Sequence, residues 1–415
     1  MRPGLNHLLP ITMKILVLNA GSSSQKSCLY ELNDDVLPDR PLQPLWEAKI
    51  DWTHQQNVSE LKVTTAKGTQ FEEEFASESR TDTISRMLET LWKGETQTIN
   101  DLNEIDIVGH RVVHGGQDYQ ESTLISPDVK KAIARLAVFA PVHNPVNLEG
   151  IEAIENILPN VPQIAVFDTA FHAQLPPAAF VYPGPYEWLE NGIRRYGFHG
   201  ISHQYCARRA AEILNRNLAD LRLISCHLGN GCSLAAIRGG VSVDTTMGFT
   251  PLEGLMMGSR SGSIDPGIII HLLRRSDITA EKLDNILNQN SGLKGISGVS
   301  SDMRQIVEAI TQGNERSQLA LDIYIHRLRA GIGAMLASLG GLDALIFTAG
   351  VGENSAFVRA TACEAFGFMG LKLDGEKNQQ VQGDEDIATA DSAVRVLVIH
   401  TQEDWEIARE CWKFY

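Results

Sequence analysis

At 415 residues the chain is long enough for two domains, and 43% apolar with 21% charged residues is the composition of a globular protein with sizeable cores. A formal net charge of −15 argues against nucleic acid or an anionic membrane as partner, so an anionic substrate would be drawn by a few local arginines. The six cysteines form no C-x-x-C pair, which fits a reducing, cytoplasmic setting, and no apolar run approaches the roughly 20 residues that span a bilayer.

In chain order, residues 1–12 read as a loose extension ahead of Met13, without the apolar stretch or cleavage site of a secretion signal. Short apolar runs predict strands at Lys14–Leu18, Cys28–Leu32, Trp46–Asp51, Leu61–Thr65 and Ile105–Val108. Helical spacing predicts helices over Thr81–Trp92, Pro127–Ala140 and Leu148–Leu158, and a strand over Gln163–Phe167 ends on Asp168. The second half restarts the theme, with strands at Leu221–Cys226, Leu234–Ile237 and Val241–Val243. Helices follow near Gly267–Arg274, Ala280–Asn290, Ser301–Gln312 and Glu315–Leu339, then strands at Ala344–Phe347 and Val394–Ile399 and a helix over Glu403–Trp412. Each half opens with strand, polar turn, strand, so the chain reads as a distant duplication of one α/β unit. The expected domains are 13–164, joined by the C-terminal helix 403–415, and 165–402, hinged near Val161–Asp168 and facing each other across a nucleotide-binding cleft.

The turn Asn19–Lys26, N-A-G-S-S-S-Q-K, gathers an amide, three hydroxyls, a glycine and an ammonium between two strands. Such a turn can aim several donors at one phosphate, although an ordinary polar hairpin has the same composition. The second half offers a counterpart in H-L-G-N-G-C-S, His227–Ser233; Cys226 and Cys232 flank His227 there, a pattern more often core packing than a metal site. Neither a Walker-type G-x-x-x-x-G-K-[ST] nor a G-x-G-x-x-G is present. Arg111, in G-H-R-V-V-H-G-G, offers a planar fork for a carboxylate or phosphate, or for a surface ion pair. Asp168 could hold Mg2+ through water, orient a nucleophile, or simply cap a turn. The segment Arg194–His203 suits a loop approaching an anion, with His199 able to donate to a transferring phosphoryl, and the Gly/Ser-rich loop Met257–Gly267 carries Arg260. Ser301 or Asp302 is placed to cap a helix, and T-A-G-V-G-E-N, Thr348–Asn354, reads as strand, glycine turn and helix start, open to close approach by a nucleotide.

Taken in this order, these blocks, together with H-N-P at His143–Pro145 and F-T-P-L-E-G at Phe249–Gly254, resemble the acetokinase family of acetate and propionate kinases from Met13 to the C-terminus. The resemblance implies the duplicated actin/hexokinase/Hsp70-like (ribonuclease H-like) α/β fold and a homodimer. It implies reversible transfer of the ATP γ-phosphoryl to a short-chain carboxylate, acetate in preference to propionate, giving an acyl phosphate and ADP. Mg2+ is the implied cofactor, with Mn2+ as a substitute. Asp168, Arg260, His199 and Arg111 would be catalytic, and Arg111 with Val113, His143 and Pro251 would hold the acyl substrate. Asn19 and Glu403 would hold the metal. ATP would contact Lys26, His227, Leu228, Gly229, Asn230, Gly231, Asp302, Met303, Arg304, Gly350, Val351, Gly352, Glu353 and Asn354. Gln402, Ser263 and Val142 depart from the family's usual Asn, Asp and Leu, which bears on Glu403 as a ligand, on loop charge and on the width of the acyl pocket. The alternative class is a non-kinase ATPase of the same fold, which has no need of two arginines, a histidine and an aspartate around one γ-phosphate.

Overall fold

The computed structural model describes residues 12–415 apart from 22–23, 34–36, 39, 56–57, 77–78, 142 and 276, and apart from the side chains of 53–55. Ser22 and Ser23 of the first turn, Val142 and most of the N-terminal extension therefore lie outside the described residues. Two compact units are present: residues up to Ala170 together with Gln402–Tyr415, and Phe171–Thr401.

The first unit is built on an eight-stranded sheet. Its strands are β1 (Thr12–Ala20), β2 (Ser24–Asn33), β3 (Trp46–Gln55), β4 (Val58–Thr65), β5 (Gln70–Ala76), β6 (Ile107–Val112), β7 (Thr123–Leu124) and β8 (Gln163–Phe167), in the order β5-β4-β3-β2-β1-β6-β8-β7. β1 is antiparallel to β2 and parallel to β6, which is parallel to β8. Ile15–Leu18 form an unbroken buried run, the pattern of a strand covered on both sides. The helix Arg80–Trp92 starts on Ser79, whose side chain accepts from the Asp82 N–H. Its helically spaced Ile84, Met87, Leu88 and Leu91 pack with Leu16, Leu18, Leu29 and Trp46. The chain's last helix, Glu403–Trp412, packs on β1 and β6. Gly109 of β6 permits this approach, since a Cβ there would stand 2.5 Å from Cys411 Sγ.

The second unit holds β9 (Arg222–Leu228), β10 (Cys232–Arg238), β11 (Val241–Thr245), β12 (Ala344–Thr348), β13 (Glu385–Asp386) and β14 (Arg395–Val398), ordered β11-β10-β9-β12-β14-β13. Helices that pack on this sheet include Gly200–Leu214 against β9 and β12, and the long Glu315–Leu339, which buries Leu321, Tyr324, Ile325, Leu328 and Ile332.

The two sheets repeat one topology. β3-β2-β1-β6-β8 and β11-β10-β9-β12-β14 share the same order, with antiparallel pairing through the first three strands and parallel pairing onward. The helix that follows β8 belongs to the second unit, and the helix that follows β14 belongs to the first. This is the duplicated α/β arrangement of the actin/hexokinase, ribonuclease H-like kind.

Several expected elements shift. The strand expected at Ile105–Val108 runs instead over Ile107–Val112, because a capped 3-10 turn at Leu102–Glu104 delays it and carries it through Arg111. The helix expected to 140 ends at Arg135 and tightens to a 3-10 turn. The helix expected from Leu148 begins at Asn144, with Pro145 in its first turn. The stretch 194–203, expected as a loop, becomes helical at Gly200. After β12 the chain turns helical at once, so Gly350 and Gly352 lie within the short helix Ala349–Asn354 and not in an open turn. β5 was not expected: its Phe71 and Phe75 alternate with glutamates at a sheet edge.

Candidate active site

In the first unit, charged groups gather where β1, β6 and β8 end. Arg111 donates from Nε and Nη2 to one oxygen of Asp168, Oδ2, at 3.1 and 2.6 Å, and from Nη1 to Asn19 Oδ1 at 3.4 Å. Asn19 Nδ2 donates to Glu403 Oε2 at 3.2 Å and to Asp404 Oδ1 at 2.9 Å. Lys26, opposite Asn19 in the β1–β2 register, pairs with Asp404 at 3.0 Å and with Glu47 at 3.2 Å. Burial pushes the Asp168 carboxyl up, against the pull of the Arg111 guanidinium. Its second oxygen, Oδ1, is buried and has no hydrogen-bond partner among the described residues. An acceptor left bare in this way is costly unless a ligand meets it.

Two buried asparagines, not anticipated from sequence, brace this site. Asn147 accepts from the Val113 N–H at 3.1 Å and donates to the Ala20 carbonyl at 3.3 Å. Asn144 accepts from the His114 N–H and donates to the carbonyls of His114 and Ile133. They tie the segment after β6 to the helix that His143 precedes. Asp404 was likewise missed, though the Glu403–Asp404 doublet at a helix start was its visible signal.

In the second unit, histidines, hydroxyls and one arginine surround the turn between β9 and β10. His199 adopts a left-handed backbone (φ 57) at the start of the helix Gly200–Leu214, and its ring stacks on His227 at 4.1 Å. His199 Nδ1 lies 2.9 Å from Ser233 Oγ, and His227 Nδ1 lies 2.8 Å from Ser202 Oγ. Gly258 lets the loop bearing Arg260 lie against the turn: its N–H donates to the Asn230 carbonyl, and a Cβ there would stand 2.2 Å from Asn230 Oδ1. Arg260 and His199 converge on Gly231, where a Cβ would stand 3.4 Å from Arg260 Nη1 and 3.4 Å from His199 Nε2. Arg260 donates to the Pro251 carbonyl at 3.3 Å, and among the described residues no carboxylate pairs with it. Burial accordingly lowers its pKa.

The remaining predicted nucleotide contacts fall on separate elements of this unit. Asp302 caps the helix Met303–Thr311 and holds the exposed Arg304 at 2.6 Å. Glu353 turns back on the protein, accepting from the Ala349 N–H at 2.8 Å and the Thr401 N–H at 3.0 Å. The fully buried Arg359, not anticipated, holds the carbonyls of Gly352 and Glu353 and both oxygens of Asn378. Ser263 accepts from the Gly254 N–H at 3.0 Å, as a carboxylate there also would. Gln402 stands at the N-cap of the last helix without a side-chain capping bond, because its chain is one methylene longer than asparagine's.

Among the described residues no group of three or more His, Cys, Asp or Glu could hold a metal, and no helix is long and apolar enough to cross a membrane. The oxygen donors of Asn19, Glu403 and Asp404 nevertheless fit a hard cation that takes most of its ligands from water and phosphate.

Two α/β sheets of this topology, with cations, histidines and glycine turns at their strand ends, belong to the actin/hexokinase class, and the family and relatives that follow make the chain a phosphotransferase with a carboxyl acceptor. The chain belongs to the acetokinase family, whose model matches residues 14–409. It is similar to the acetate kinase of Gloeobacter violaceus, 69% identical over 402 residues that span 97% of this chain and 99% of that protein. It is also similar to the acetate kinase of a Nostoc species, 68% identical over 400 residues spanning 96% and 99%. Among solved structures, it matches the acetate kinase of Porphyromonas gingivalis at 40% identity and TM-score 0.88, covering 97% of this chain and 99% of that one. A propionate kinase from Francisella tularensis matches at 36% identity and TM-score 0.87, with coverage of 97% and 99%.

Proposed function

We propose that the chain catalyses reversible transfer of the ATP γ-phosphoryl to acetate, yielding acetyl phosphate and ADP by direct in-line displacement. An acetate oxygen forms a bond to the γ-phosphorus while the bond to the β,γ-bridging oxygen breaks, and ADP leaves with that electron pair. Acetate is already ionised at neutral pH, so positioning and charge neutralisation carry the catalysis, not proton removal. The observation that carries the reading is Arg260, a cation with no carboxylate partner among the described residues, which converges with His199 on a glycine turn. These two donors take the equatorial γ-phosphoryl oxygens, where a loose transition state spreads its charge.

Acetate is assigned to Arg111 with Val113 and His143 on the first unit and to Pro251 on the second, and Asp168 orients Arg111 and would help orient a bound metal. Asn19 and Glu403, with Asp404, would hold Mg2+ or Mn2+, which would supply neutralisation of the phosphate charge. Lys26, His227–Gly231, Asp302–Arg304 and Gly350–Asn354 serve ATP, the last of these shaped by Glu353 and Arg359 from behind. Acetate is preferred to propionate because the relatives of high identity over nearly the whole chain are named acetate kinases. We further assign two domains, the first completed by the C-terminal helix, a cytoplasmic location consistent with six buried free cysteines, and a homodimer. The dimer is supported by the helix Pro266–Leu273, which buries none of its residues and exposes Ile268, Ile270 and Leu273.

The test is ADP release from Mg-ATP with acetate, propionate and butyrate, trapping acyl phosphate as hydroxamate. Hydroxamate formed fastest with acetate is expected. ADP release that ignores carboxylates and gives no hydroxamate would overturn the kinase reading in favour of an ATPase. Light scattering at twice the chain mass is the expected result for the dimer.

A further inference from the structure

Behind His199 the second unit holds a buried chain of alternating hydroxyls and imidazoles. Ser225 Oγ lies 2.9 Å from His203 Nδ1, His203 Nε2 lies 2.8 Å from Ser233 Oγ, and Ser233 Oγ lies 2.9 Å from His199 Nδ1. Ser225, His203 and Ser233 are completely buried. Burial pushes the His203 pKa well below its ordinary value, so its ring is neutral, with one N–H donor and one bare nitrogen acceptor.

With His199 neutral as well, a chain of this kind has two self-consistent settings. In one, Ser225 donates to His203 Nδ1, His203 Nε2–H donates to Ser233, and Ser233 donates to His199 Nδ1, which leaves the His199 proton on Nε2. In the other, every bond is reversed and His199 carries its proton on Nδ1. The end of the chain decides between them. Among the described residues the Ser225 hydroxyl has no partner other than His203 Nδ1. In the reversed setting it would accept from His203 and leave its own O–H buried with nothing to donate to, the more costly way to strand a polar group.

We propose that Ser225, His203 and Ser233 are positioning residues that fix His199 as the Nε2–H tautomer, so that the nitrogen converging with Arg260 on Gly231 is always a donor. The proposal rests on the phosphoryl-transfer reading for its purpose, but not for its measurement. A phosphoryl oxygen is an acceptor only, and a bare imidazole nitrogen facing it would repel it. Setting the tautomer in advance removes a rearrangement from the transfer step. Preorganisation of this kind also accounts for a polar chain buried at no obvious gain in stability.

The experiment is long-range proton–nitrogen correlation on the 15N-histidine-labelled protein, with the His199 resonances assigned by loss in His199→Asn. The expected result is a protonated Nε2 and a bare Nδ1 at His199. The opposite tautomer in the unsubstituted protein overturns the proposal, whether or not the protein is an active kinase. An inactive protein with the Nε2–H tautomer overturns the functional reading and supports the relay. The companion variant is Ser225→Ala, expected to mix the His199 tautomers and lower kcat roughly tenfold with little change in KM for ATP or acetate. Ser225→Thr, which retains the hydroxyl, restores both. A Ser225→Ala protein that keeps one tautomer and full kcat overturns the relay, and a merely structural serine would shift the melting temperature without moving the tautomer.

Discussion

In the first unit the cations at the strand ends are already answered by the protein's own carboxylates, Arg111 by Asp168 and Lys26 by Asp404 and Glu47. In the second unit Arg260 meets a carbonyl and the Met257 sulfur but, among the described residues, no carboxylate, and the nearby histidines are held by hydroxyls. One strand order thus supports two electrostatic strategies. A buried ion pair recovers part of its desolvation cost through its own attraction and uses up that attraction before any ligand arrives. A cation without a counterion keeps its attraction for an anion from outside. The proposed assignments follow this contrast: acceptor carboxylate and metal are given to ordered charges, and the migrating phosphoryl to donors with no carboxylate partner among the described residues.

The sharpest way to break this contrast is Arg260→Ala. By analogy with arginine fingers, kcat is expected to fall roughly 10³-fold or more, with the KM for ATP and the unfolding midpoint little changed. Near-normal turnover in steady-state assays would remove Arg260 from the transfer step. Arg111→Ala should behave differently, losing about 3–5 kcal/mol of stability because Asp168 is stranded in a buried site. Urea titration checks this, and a midpoint shift no larger than that of Arg260→Ala would erase the distinction between paired and unpaired cations.

Acidification probes what the units share. Burial lowers His110 and His114 in the first unit and His172 in the second to about 4. The unfolded chain, with histidines near their ordinary 6.5, binds more protons than the folded one between these values. Stability contributed by these neutral rings is therefore complete above about pH 6.5 and is lost as pH falls toward 4. Each ring should add about 1.4 kcal/mol per pH unit to the slope in that window. Denaturant midpoints that stay flat from pH 6.5 to pH 4 would contradict the buried neutral state of these rings. The smallest expected effect is Gln402→Asn, which should add about 0.5–1 kcal/mol by capping the last helix. A calorimetric melt that rises by about 1 °C supports the missing cap, and one that does not rise contradicts it.

Much of the fold was legible because its signals are local. The helices Glu315–Leu339 and Glu403–Trp412 and the strand Gln163–Phe167 have the predicted bounds, since apolar period and capping residues act over one or two turns. The paired openings of the two halves were also visible, and they became the twin hairpins β1–β2 and β9–β10. The helix Gly200–Leu214 was hidden by a first turn of Gly, Ser and His, residues that ordinarily mark loops, and β5 was hidden by its glutamates.

The sequence by itself determined which residue types stand at the strand ends and that the chain is a repeated α/β unit, because strand and turn chemistry is written in neighbouring residues. Only the tertiary structure decided the partners. Asn19 meets Glu403 across 384 positions, Arg111 meets Asp168 across 57, and Ser225, His203 and Ser233 line up behind His199. Period and composition say which side of an element is buried, but strand register and helix docking choose which distant atom comes within hydrogen-bond reach, and the chemistry of both sites depends on that choice.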